Sequence, residues 1–195
     1  AYIVPVLLYF VSGFCGLVYE IVWSRMLVLV LGNTTYATST ILASFMAGLA
    51  LGSFFWGKKI DSLKSSPLFI FGCLEIMVGA SALLLYFAIQ SVVPLEVFTI
   101  KLVSGSQTGG VLVRFFFSFV LLCIPTFFMG GTFAVIGKHL IANIPATGSR
   151  SAGSRSALLY GVNTAGALLG AFLTGFFLIA YWGHFAVLLC ACLLN

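Results

Sequence analysis

Four side chains with chemistry to offer stand inside long apolar runs of this sequence: Glu20, Glu75, Arg114 and Asn163. An ionisable group in hydrocarbon is costly, so it pairs, turns toward a polar interior or carries function. Glu75 lies about eight residues into its run, which is ~12 Å by helical rise. Asn163 lies at a similar depth in a later run. A carboxylate and an amide at one level of a bundle could share a proton, a cation or an amine, or could simply cross-link two helices. Glu20 is expected near the outer end of the first run. Arg25 is expected in the connection that follows it, and Arg114 at the outer start of a later run, where a long basic side chain snorkels to the interface. Glu20, Arg25, Glu75, Arg114 and Asn163 are therefore the candidate binding or structural polar residues.

No catalytic set accompanies them. The sequence holds no G-x-G-x-x-G, Walker loop, H-E-x-x-H or nucleophile elbow, and none of its motifs asks for a cofactor. Cys15, Cys73, Cys123, Cys190 and Cys192 form no C-x-x-C and have no histidine partners. They read as small packing residues and not as metal ligands. Asn33-Thr34-Thr35 matches a glycosylation sequon and equally marks a turn with a helix cap. His139 and His184 sit at expected interfaces without a partner pattern.

The elements that must position these groups follow from composition. The chain is 62% hydrophobic and 7% charged, against about 25% charged in soluble domains. So few charges cannot cover a soluble surface of this size, which makes the lipid bilayer the partner that stabilises the chain. Apolar runs of about 20 residues read as spanning helices. They fall at about 2–22, 36–56, 67–89, 111–136 and 157–180, and Gly183 opens a sixth at 183–195 that is too short to cross. The fold class expected is an all-α, polytopic transmembrane bundle of five full spans plus the start of a sixth. Ala1 is not an initiator Met and Asn195 ends inside an apolar run, so the sequence reads as part of a longer chain.

Between the runs, residues 23–35 read as a polar-aromatic connection. Residues 90–110, with Pro94, Glu96 and several Gly and Ser, read as a short interfacial helix and a turn. The stretch 137–156 reads as a basic, Gly/Ser-rich loop. Pro125 falls inside the fourth run and predicts a kink there, because proline cannot donate and its ring clashes with the preceding turn. Gly48-x-x-x-Gly52 and Gly166-x-x-x-Gly170 are faces that let helices approach closely. The order Gly57-Lys58, Phe71-Gly72, Glu75 is echoed by Gly137-Lys138, Tyr160-Gly161, Asn163, as in a parallel internal repeat.

The formal net charge of +5 sits in loops and forms no basic stripe, which argues against a nucleic-acid partner. Lys58, Lys59, Lys64, Lys138, Arg150 and Arg155 fall on one side, against Arg25, Lys101 and Arg114 on the other. This asymmetry places the first group, and the N-terminus, in the cytoplasm of a bacterial-type inner or plasma membrane.

Several stretches together resemble the membrane domain of spermidine synthase-like integral membrane proteins. They are Ser12-Gly13, Leu17 with Tyr19-Glu20, Trp23 with Arg25, Leu31-Gly32 and Thr35-Tyr36. They continue with Gly48-Leu49-Ala50-Leu51-Gly52, Gly57-Lys58 with Asp61, and Leu74-Glu75. Pro125-Thr126 with Met129-Gly130, and Tyr160 with Asn163-Thr164 and Gly166-Ala167, complete the set in order along nearly the whole chain. The resemblance implies a hydrophobic bundle that anchors or feeds a C-terminal cytoplasmic aminopropyltransferase-like catalytic domain, and that domain is not part of this sequence. It implies a cationic amine, a polyamine, as the substrate class of the whole protein. The stretch from Gly48 to Asp61 also resembles the loop between the second and third helices of major facilitator transporters. A transporter-like half bundle, or a structural subunit packed against other membrane subunits, are the alternative expectations.

A cysteine placed at Ser65 should react with an impermeant maleimide only from the cytoplasmic face of membrane vesicles. Reaction from outside intact cells would reverse the orientation.

Overall fold

In a computed structural model the chain is almost entirely helical over its described residues, 3–31, 35–63, 65–102, 107–143 and 152–195, with no strand among them. In lipid no water satisfies peptide groups, so each spanning segment must close its own hydrogen bonds as a helix. The helices are α1 (Ile3–Leu31), α2 (Thr35–Lys59), α3 (Pro67–Leu102), α4 (Gln107–Asn143), α5 (Ala152–Leu173) and α6 (Ile179–Leu194). A 3₁₀ turn, Ile60–Ser62, follows α2, and a π turn, Thr174–Leu178, joins α5 to α6. Five helical stretches are long and apolar enough to cross a membrane, the fifth being Ser156–Leu194. The chain is a multi-pass transmembrane bundle.

Several elements run on where the sequence suggests a break. The connection expected at Trp23–Arg25 is helix, because α1 continues to Leu31 and buries Trp23 completely, stacked on Tyr19 at 5.6 Å. The interfacial helix expected after residue 90 is the continuation of α3, which runs through Pro94 to Leu102. α4 carries Pro125 inside it without interruption from Gln107 to Asn143. Proline removes the backbone donor for the Leu121 carbonyl, and, one position on, the Thr126 hydroxyl donates to the Leu122 carbonyl at 2.6 Å. The backbone breaks instead at Gly183, whose φ of 75° and ψ of 169° are non-helical and suit a residue without a Cβ. Past this break α6 turns back along α3. Phe185 meets Tyr86, the Cys192 thiol approaches the Gly79 carbonyl at 3.5 Å, and Asn195 reaches Glu75. Residues 32–34, which hold most of the sequon, and the stretches 103–106 and 144–151, where a turn and a loop are expected, lie outside the described residues.

The bundle is built on two parallel helix pairs. Spans alternate in direction along the chain, so α1 and α5 run the same way, as do α2 and α4. These are also the two most extensively packed pairs, with α3 lying on α4 and α6 against α1 and α3. Glycines set both interfaces. A Cβ at Gly48 would strike the Thr126 hydroxyl, one at Gly52 the Phe127 carbonyl, and one at Gly130 the Leu49 carbonyl. In the other pair, a Cβ at Gly166 would strike the Phe10 carbonyl and one at Gly170 the Phe14 carbonyl. The backbones touch, and Ser53 adds a hydrogen bond across α2 and α4 to the Gly130 carbonyl at 2.9 Å. The outer surface is apolar, with Leu29, Phe54, Ile76, Leu84, Leu168 and Phe176 all exposed, as lipid requires.

The glycine contacts predict a sharp contrast. Gly130→Val should lower the detergent-solubilised melting temperature by an amount reflecting about 1–3 kcal/mol of overpacking. Gly72→Ala, which meets nothing within 4 Å, should leave it unchanged. Equal melting curves for the two variants would contradict the close α2–α4 approach.

Candidate functional site

The α1/α5 pair touches the α2/α4 pair only lightly, and a cavity of about 490 Å³ lies along that seam. Five helices line it. Ser12 and Gly13 come from α1, Phe45, Leu49 and Ser53 from α2, and Glu75 and Val78 from α3. Met129 and Thr132 come from α4, and Tyr160, Asn163 and Thr164 from α5. Asn195, beyond the Gly183 break, completes the wall. Close glycine contacts within each pair fix the pairs and leave the space between them.

Glu75 is the ionisable group of this cavity. It is 6% exposed, and its Oε1 is buried without a hydrogen-bond partner. The side chains of Ser12 and Asn195 lie beside its carboxyl, and the Asn195 amide donates to the Glu75 carbonyl at 3.0 Å. Asn163, named above as the counterpart of Glu75, lines the same cavity from the far pair. Its backbone and amide oxygens pack against Gly13, where a Cβ would collide with both. The two residues therefore share a site, and the immediate neighbours of the carboxyl are Ser12 and Asn195.

The remaining candidates sit elsewhere. Glu20 is half-buried and is not among the residues lining the cavity. α1 continues past it to Leu31, so it lies within the helix and not at its outer end. Arg25 is exposed on the last part of α1. Arg114 is near the start of α4, and its side chain lies outside the described residues. Among the described residues no cluster of histidine, cysteine and carboxylate could hold a metal ion. Cys123 and Cys192 make inter-helix contacts, the Cys123 thiol approaching the Ser44 carbonyl at 3.8 Å.

Sequence reasoning missed Ser12, Thr132 and Asn195 as parts of the site. Isolated small polar residues in apolar runs usually bond to their own helix. Thr40, Ser44, Ser81 and Thr132 do so here, Thr132 donating to the Met129 carbonyl at 2.8 Å. Ser12 stands four residues before Gly16, a spacing shared by any small-residue packing face, so nothing marked its hydroxyl as part of a site. The resemblance did include Ser12, Gly13, Leu49, Glu75, Met129 and Asn163, and all six line the cavity.

Compared with family models, curated proteins and solved structures, the chain matches none.

A buried carboxyl with room beside it tolerates an isosteric amide better than a removed or reversed charge. Glu75→Gln should insert and melt within a few degrees of the native chain in detergent. Glu75→Lys should lose the folded bundle, read as aggregation on size-exclusion chromatography. A Gln variant that aggregates like the Lys variant would give the carboxyl a purely structural role.

Proposed function

We propose that this chain is the membrane domain of a spermidine synthase-like protein and that its central cavity binds an organic amine cation at Glu75. The observation that carries this reading is that Glu75, whose buried Oε1 has no hydrogen-bond partner, is one of the residues lining a cavity between two helix pairs. An ammonium group only donates hydrogen bonds and a carboxylate only accepts them, so each completes the other. The oxygens of Ser12, Asn163 and Thr132 are further acceptors for the same head group. Phe45, Leu49, Val78 and Met129 form apolar walls suited to a methylene chain, and the rings of Tyr9 and Phe45 can face a cation.

Several of the stretches on which the family resemblance rests, among them Ser12-Gly13, Leu74-Glu75 and Asn163-Thr164, contribute to this cavity, which supports reading those as a site and not as scattered packing motifs. In this reading the Lys58, Lys59 and Lys138 side faces the cytoplasm, and the bundle holds or delivers an amine to an aminopropyltransferase-like domain there. The light contact between the two glycine-stitched pairs also favours the transporter-like alternative, in which the same amine crosses the seam.

Equilibrium dialysis of the detergent-purified chain with radiolabelled putrescine and spermidine tests the reading. Saturable binding of one amine per chain is expected, with 1,4-butanediol failing to compete. Glu75→Gln should weaken it about 10- to 100-fold, the loss of a charge-assisted hydrogen bond in a dry site. Absence of saturable binding, or equal binding by the Gln variant, would overturn the proposal.

A further inference from the structure

A second cavity, of about 520 Å³, adjoins the first on the side where α2 and α4 end. Its walls include Ala134, Gly137 and Lys138 of α4 with Ser156 and Leu159 of α5. The two cavities share three residues, Tyr9, Phe133 and Tyr160. These aromatic side chains are common to an inner chamber that reaches Glu75 and an outer one that reaches Lys138. Tyr9 is buried, and its ring lies 5.9 Å from that of Phe133, tilted by 48°. Tyr160 of α5 is exposed and lines both chambers.

Charge at the outer chamber is set by an ion pair. The Lys138 ammonium, which lines this chamber, is joined to the Asp61 carboxylate on the turn after α2. Both side chains are substantially exposed, at 47% and 67%, and exposed pairs contribute only about 0–1 kcal/mol to stability. The location of this pair matters more than its strength. An unpaired Lys138 would hold a positive charge at the mouth of a route ending at a carboxylate, and would repel any cation entering it. Asp61 cancels that charge.

We propose that the outer chamber is the entrance by which a cation reaches Glu75. Tyr160, with Tyr9 and Phe133, is its constriction, and the Asp61–Lys138 pair makes the mouth permissive to positive charge. This deepens the amine-binding reading and rests on it. The direction of entry, the constriction and the charge selectivity are additional to it.

Cysteine accessibility tests the route without requiring amine binding. Ser12→Cys places a thiol beside Glu75 in the inner chamber, and Thr164→Cys is a second reporter there should the first fold poorly. Ser65→Cys, in a parallel preparation, reports which face of the vesicles is outward. Trimethylammonioethyl methanethiosulfonate and its sulfonatoethyl counterpart are too polar to arrive through lipid. Labelling is read by peptide mass, so the native cysteines stay in place. The cationic reagent should label the inner thiol from the Lys138 face only. Tyr160→Ala should speed both reagents by about tenfold or more through the widened constriction. Asp61→Asn should shift the cationic-to-anionic rate ratio by about tenfold toward the anion, as charge focusing at a mouth does. Labelling from the opposite face, or rates indifferent to both substitutions, would overturn the entrance. A chain that labels as expected but binds no amine would keep the route and refute the amine reading. A chain that binds amine but labels from the other face would do the reverse.

Discussion

Backbone contact at glycine is the interaction on which the rest of this structure depends. Lipid offers no hydrophobic drive for one helix to prefer another, so association rests on close packing and a few polar contacts. Gly48, Gly52 and Gly130 bring α2 and α4 together until side-chain-sized space between them vanishes, and Gly166 and Gly170 do the same for α1 and α5. Both pairs are parallel, an arrangement in which the helix dipoles oppose association, so contact must overcome them. The Ser53 bond to the Gly130 carbonyl adds a directional element to one interface.

That constraint also creates the cavity. Glycine faces spent on intimate contact within each pair leave bulkier residues at the seam between pairs, where Phe45, Leu49, Met129 and Tyr160 hold the helices apart. The seam is then the place where polar groups collect, because lipid excludes them from the outer surface. Most buried hydroxyls satisfy themselves on their own helix carbonyls, as Ser44 and Thr126 do at 2.6 Å. Glu75 has no such option, since a carboxylate cannot donate to a carbonyl. Ser12 and Asn195 lie beside it, and its Oε1 stays buried without a hydrogen-bond partner.

The internal echo between Glu75 and Asn163 gains a spatial counterpart. The α2 and α4 ends that carry Gly57-Lys58 and Gly137-Lys138 lie side by side, tied by the Lys138–Asp61 pair. The helices that follow each end, α3 and α5, bring Glu75 and Asn163 to the lining of one chamber. The two positions that correspond in the sequence echo thus line one chamber, one acidic and one amidic.

The sequence by itself determined the solvent, the element type and the number of crossings. Sparse charge and long apolar runs leave only lipid-spanning helices, whatever the tertiary arrangement. It also singled out Glu75 and Asn163 as inward groups, because a polar side chain cannot remain against hydrocarbon. Helix ends were less legible. Trp23 and Pro94 look like breaks in one dimension but are carried within helices, since peptide groups in lipid have no better partner than the next turn. Tertiary structure alone decided which helices pair, that Ser12 and Asn195 and not Asn163 flank the Glu75 carboxyl, and that Glu20 stays off the cavity wall. Glycine faces announce that some helix will come close, but not which one, because every apolar helix offers the same non-specific attraction. Only the fit of Gly130 against Leu49, and of Gly166 against Phe10, selects among them.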